Sequence, residues 1–169
     1  MKKIIALALA ALRALPHFLC SAEEETRGLA EVRWPGRFEE VLPGVIMDGA
    51  HNPHAMQVLT RTWRETYGER KARCIYAGSA DKALDEVLEL LSPIVGEWVL
   101  PPVQSPRILS PAEMAVKVQT ASSAPIITPA TLEECLVGIP AGTLICGSFF
   151  LLGEAKAILR RAEYRTTVQ

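Results

Sequence analysis

Residues 46–56 read IMDGAHNPHAM, an apolar run that stops at Asp48 and passes through Gly49, His51 and Asn52 to Pro53. Gly44–Met47 (GVIM) has the composition of a short buried strand. Asn52 is a preferred helix N-cap, and Pro53 suits the first helical position, where its missing N–H would have no partner anyway. Met56, Leu59 and Trp63 then recur at helical spacing, and Gly68 ends the helix. A strand therefore passes through a polar loop straight into a helix N-terminus. Just upstream, Phe38–Leu42 (FEEVL) is a second strand candidate, with Pro43-Gly44 as the turn between the two.

The same alternation continues downstream. Arg73–Gly78 (RCIYAG) reads as a strand, and Leu84, Val87, Leu88 and Leu91 form one stripe of an amphipathic helix. Glu97–Val103 (EWVLPPV) is a strand running into prolines. Ser110-Pro111-Ala112-Glu113 is both a capping box and a proline start, which predicts a helix to about Thr120. Pro125–Thr128 (PIIT) is a short strand, Thr131-Leu132-Glu133-Glu134 a second capping box, and Thr143–Ser148 (TLICGS) the last strand. A final helix begins near Phe150 and carries Leu151, Leu152, Ala155, Ile158 and Leu159. Strands separated by helices of this length require crossover connections, so the fold class is α/β, with a mostly parallel sheet and helices on both faces.

Composition sets the functional limits. The chain has 169 residues, enough for one domain with a short appendage, and its 49% hydrophobic and 22% charged residues suit a globular core. A formal net charge of -1 gives no electrostatic basis for a nucleic-acid or membrane partner. Cys20, Cys74, Cys135 and Cys146 show no zinc spacing, and Cys74 and Cys146 lie in apolar runs, so reduced thiols in a cytoplasmic protein are expected. The first 22 residues, MKKIIALALAALRALPHFLCSA, imitate a secretory signal. Arg13 and Pro16 interrupt the apolar run, and the competing reading is an alanine- and leucine-rich helix from Lys3 to about Leu15. A second helix, opened by the capping box Ser21-Ala22-Glu23-Glu24, then runs towards Ala30.

In a parallel sheet, ligands bind outside the carboxyl ends of the strands. Asp48–Asn52 is such a strand-end loop, and it faces a helix N-terminus whose free N–H groups suit a phosphate. An aspartate at a strand end can accept hydrogen bonds from ribose hydroxyls, and Gly49 permits close approach. The residues by themselves leave three readings open. Asp48 can be a turn former bonding its own backbone. Asp48, His51 and His54 can form a sparse metal site. Or the loop can floor a nucleotide pocket.

Two motifs carry a resemblance. Trp34-Pro35-Gly36-Arg37-Phe38-Glu39 followed by Asp48-Gly49-Ala50-His51-Asn52-Pro53 resembles folylpolyglutamate synthases, often bifunctional with dihydrofolate synthase, within the Mur ligase family of ATP-dependent amide-forming ligases. Cys146–Glu154 (CGSFFLLGE) is similar to that family's late strand-turn-helix segment, and Ser105-Pro106-Arg107 with Ser110-Pro111 is similar to its middle. The resemblance covers most of the chain. It implies that residues 34–169 are a Rossmann-like C-terminal domain, preceded in residues 1–33 by a helical remnant of the central ATPase domain. The signal reading recedes accordingly.

The resemblance also implies roles. Arg37 would contact ATP, Asp48 its ribose, and His51 and Asn52 the phosphate or glutamate side of the cleft. Ser148, with His51, would hold the incoming glutamate. The alternatives for Arg37 and Ser148 are a surface ion pair with Glu39 or Glu40 and a helix cap. No G-x-x-x-x-G-K-[ST] phosphate loop occurs in these 169 residues. Ligation by the chain alone is therefore not expected, no catalytic residue is assigned, and the magnesium ligands are expected in the portion that bears the phosphate loop. Two other readings stand beside this one: the corresponding domain of a peptidoglycan Mur ligase, whose loops are similar, and a free-standing, non-catalytic domain that binds nucleotide or a partner. A secreted α/β protein would require the signal.

Overall fold

The computed structural model describes residues 2–17, 20–32, 34–80 and 83–167. The chain divides into two compact units, Met1–Trp34 and Pro35–Gln169.

The first unit is a pair of helices, α1 (Lys2–Arg13) and α2 (Ala22–Glu31). The capping box expected at Ser21 is formed: the Glu24 N–H donates to Ser21 Oγ at 3.3 Å, and Glu24 Oε2 accepts the Ser21 N–H at 2.8 Å. Arg13 Nε reaches Glu25 Oε1 at 2.9 Å, tying the end of α1 to the first turn of α2. α1 stops before Leu15, where Ala14 and Leu15 turn back onto the carbonyls of the preceding residues. Among the described residues no helix is long and apolar enough to cross a membrane.

The second unit holds a six-stranded sheet in the order β1-β2-β6-β3-β4-β5. Its strands are β1 (Glu39–Leu42), β2 (Val45–Asp48), β3 (Ala72–Tyr76), β4 (Val95–Val99), β5 (Ile126–Ile127) and β6 (Thr143–Cys146). β1 and β2 form an antiparallel hairpin through Pro43-Gly44, with Gly44 at φ 73°, and every other pairing is parallel. The helices are α3 (Pro53–Tyr67), α4 (Leu84–Leu91), α5 (Pro111–Ala121), α6 (Leu132–Leu136) and α7 (Phe149–Thr167). The fold is thus α/β, with a mostly parallel sheet and a separate helical segment before it, as the alternating pattern predicts.

Local chemistry explains the helix starts. Asn52 caps α3 by accepting the Ala55 N–H, with Pro53 in the first turn. Ser110 and Glu113 close a full capping box on α5. At α6 the Thr131 hydroxyl caps as expected, but Glu134 accepts from the Ala130 N–H, one residue upstream of the position a capping box uses. β4 begins at Val95, two residues earlier than the expected Glu97, because Pro93 and Ile94 form a short 3-10 turn that delivers the chain directly into the sheet.

Strand alternation builds two cores, one on each face. Ile46, Cys74, Trp98, Leu144 and Cys146 face α3, α4 and α5, meeting Met56, Leu59, Trp63, Leu88 and Met114. Val45, Met47, Ile75, Val99 and Ile145 face α6 and α7, meeting Leu132, Leu136, Leu151, Leu152 and Ala155. The last strand, β6, lies between β2 and β3, with Asp48 and Tyr76 both opposite Cys146. From β2 the chain leaves to α3 on one face, and from the neighbouring β6 it leaves to α7 on the other. That divergence marks the carboxyl ends of β2 and β6 as a switch point of the sheet, the place where open α/β sheets form the crevice that holds ligands.

Candidate functional site

Asp48, the last residue of β2, has its carboxylate engaged by backbone. Oδ2 accepts the Phe38 N–H and Oδ1 the Ala50 N–H, each at 2.8 Å. Burial pushes this carboxyl above its ordinary range; the two N–H donors and the nearby Arg37 guanidinium pull the other way without cancelling it. The bond to Phe38 also secures an uncommon backbone, since Phe38 sits at φ 46°. Asp48 therefore ties the Phe38 segment to the loop that follows β2.

His51 lies exposed at the mouth. Its Nδ1 is 2.8 Å from the Gly49 carbonyl oxygen, which can only accept, so Nδ1 carries the proton and Nε2 is left as the acceptor. Asn52 is spent on capping α3 through its side-chain oxygen. His54 is exposed in the first turn of α3. Among the described residues, no three His, Cys, Asp or Glu side chains gather as a metal site, and Asp48 is turned to the backbone rather than to either histidine.

The end of β6 forms the other lip. Gly147 adopts φ 102°, and a Cβ there would lie 2.4 Å from the Tyr76 ring and 2.7 Å from the Ala77 carbonyl oxygen, so only glycine fits. Its N–H donates to the Ala50 carbonyl at 3.1 Å, joining the two strand-end loops. Ser148 is buried, and its Oγ accepts the Phe150 N–H at 3.1 Å, so it caps the first turn of α7. A small cleft beside this lip is lined by His51, Tyr76, Gly78, Ser79 and Gly147.

Arg37 is exposed and lies over the Phe149 ring, its guanidinium carbon 5.2 Å from the centroid. Glu39 is committed elsewhere: it accepts from Lys156 Nζ at 2.6 and 2.8 Å and from the Gly36 N–H at 2.8 Å. Glu40 accepts the Gly44 N–H. The structure thus brings Arg37 and His51 to the same Phe149 ring, while Asp48, Asn52 and Ser148, on the same strand-end segments, bond backbone N–H groups; of the five, only His51 lines the cleft. Sequence reasoning passed over Phe149, which touches both Arg37 and His51. The available signal was a pair of aromatics directly after Gly147-Ser148, where a buried helix would start with polar residues.

A family model described as "Mur ligase, glutamate ligase domain" matches residues 36–138, more than half of the chain. The chain is 30% identical over 159 residues to the dihydrofolate synthase/folylpolyglutamate synthase of Escherichia coli K12, a match covering 91% of this chain and 37% of that protein. Among solved structures, E. coli FolC in complex with DHPP and ADP superposes with a TM-score of 0.79 at 25% identity, over 94% of this chain and 39% of that one. A bifunctional folylpolyglutamate synthase/dihydrofolate synthase from Yersinia pestis, complexed with AMPPNP and a Mn ion, gives 0.74 at 27% identity, over 92% and 38%. The chain therefore spans little more than a third of the length of these relatives.

Proposed function

The chain belongs to the Mur ligase family through its glutamate ligase domain, and we propose that it supplies the ATP- and glutamate-binding C-terminal part of a ligase that adds L-glutamate to folates, or to dihydropteroate, through an acyl phosphate. The observation that carries this reading is the switch point at the β2 and β6 strand ends, where the two loops are joined through Gly147 and Ala50 and the exposed Arg37 and His51 meet on Phe149. The relatives' names and their nucleotide complexes support it.

In this reading Arg37 meets the phosphates of ATP, and His51 lies on the phosphate or glutamate side, where its Nε2 can accept from the ammonium group of glutamate. Asp48 reaches the ribose with the lone pairs its oxygens retain beyond Phe38 and Ala50. Asn52 holds the N-terminus of α3 towards the phosphates, and Ser148 can donate its hydroxyl proton to glutamate while its oxygen still caps α7. Magnesium, held by residues outside this chain, would neutralise phosphate charge during transfer. Most of the folate pocket and the phosphate loop would be contributed by the ATPase part, and the assembled enzyme would work in the cytoplasm.

The absence of a phosphate-loop motif from these 169 residues favours a second reading, a non-catalytic domain that binds nucleotide or a partner. Assay of folate extension with ATP and glutamate separates the two. The purified chain alone should be inactive, and adding the phosphate-loop-bearing portion of a related synthase should restore extension. Activity from the chain alone would overturn the proposal. Inactivity within a demonstrated complex would favour the non-catalytic domain.

A further inference from the structure

We propose that Phe149 is a positioning residue, holding Arg37 and His51 ready at the crevice without consuming the groups they offer to a ligand. The claim about the ligand rests on the nucleotide reading above; the claim about the side chains does not.

Phe149 is 49% exposed although it is a large aromatic residue at the head of α7. Three segments converge on its ring. The Arg37 guanidinium lies over its face at 5.2 Å, and the His51 ring meets it edge-on at 5.7 Å with 63° between planes. The Gly49 backbone lies against it so closely that a Cβ there would stand 2.4 Å from two ring atoms. A side chain at position 49 would have to displace the ring.

An exposed arginine ordinarily keeps its rotamer freedom unless something holds it. The nearby carboxylates are engaged elsewhere, Glu39 by Lys156 and the Gly36 N–H, and Asp48 by Phe38 and Ala50. A carboxylate partner would neutralise Arg37 and occupy its N–H fork. An aromatic face does neither: it attracts the cation without accepting its N–H fork as a carboxylate would, and so leaves those donors for a bidentate anion. The edge contact to His51 likewise fixes a ring whose Nδ1 is already bonded to Gly49, leaving Nε2 for the ligand. Because Phe149 follows β6 directly and His51 follows β2, the ring also couples the two lips.

The test uses the full chain and the variants Phe149→Leu and Phe149→Trp, with thermal unfolding as the check on folding. In the free protein, NMR should show the Arg37 Nε–H ordered and ring-current-shifted. Phe149→Leu should abolish both signatures, and Phe149→Trp, which restores an aromatic face, should retain them. Titration with ADP should be weakened about two- to fivefold by Phe149→Leu, the worth of one exposed cation–π contact, and left within about twofold by Phe149→Trp. If Phe149→Leu does not fold, Phe149→Met removes the ring with an unbranched side chain and is read the same way. Equal Arg37 order with and without the ring overturns the proposal, whatever happens to ADP. Failure of the unsubstituted chain to bind ADP overturns the nucleotide reading instead, and the Arg37 signals still decide the role of Phe149.

Discussion

At Asp48, burial and hydrogen bonding oppose one another. The site takes the carboxylate out of water yet gives each oxygen a backbone N–H, and burial wins, so the folded protein holds the Asp48 proton more tightly than the unfolded chain does. The sign follows from linkage. Stability from this group is fully present below its ordinary value of 3.8 and is lost as pH rises through the raised folded value. In Asp48→Asn one acceptor becomes an NH₂ group aimed at a backbone donor, a loss of about 1 kcal/mol at neutral pH. The deficit relative to the unsubstituted protein should widen in acid. Urea unfolding of both proteins between about pH 3 and 7 measures it; a deficit that shrinks in acid would show that hydrogen bonding, not burial, governs this carboxyl.

At the scale of elements, Glu39 on the edge strand β1 and Lys156 on α7 clamp the hairpin to the last helix. Burial alone would raise the Glu39 carboxyl. The Lys156 hydrogen bond, the Gly36 N–H and the charges of Lys156 and Arg160 together outweigh it and hold the group below its ordinary range. Here the sign is reversed from Asp48: the contribution is present above 4.5 and disappears as pH falls through the folded value. Both side chains are about a quarter exposed, so Glu39→Gln should cost only about 1 kcal/mol at neutral pH. It should also flatten the acid-side loss of stability below about pH 4.5 in the same unfolding measurement. An unchanged acid limb would mean that Lys156 does not depress Glu39.

For the whole molecule, the unit Pro35–Gln169 carries a sheet covered on both faces by its own helices. A polypeptide starting at Pro35 should therefore fold by itself. Its unfolding should remain a single cooperative transition, with a midpoint shifted by no more than about 4 °C, the equivalent of about 1 kcal/mol in a domain of this size. Broad or non-cooperative melting would show that the unit needs residues outside it.

Much of this arrangement was legible in the amino-acid sequence, because it rests on interactions within one turn of chain. Ser21, Asn52 and Ser110 are capping residues followed at the right distance by their partners, so each helix start could be read directly. The strand-end position of Asp48 followed from an apolar run meeting Asn52-Pro53. What the sequence could not reveal depends on strand order. β6 is the last strand in the chain, yet it enters the sheet between β2 and β3. No local preference encodes that insertion; it comes from two apolar faces closing over one sheet. Only that placement brings Gly147, Ser148 and Phe149 beside Gly49 and His51, and Lys156 beside Glu39. The sequence by itself thus determined where polar chemistry interrupts the secondary structure, while the tertiary structure decided which interruptions share a crevice, since contacts between distant segments are selected by packing rather than by spacing along the chain.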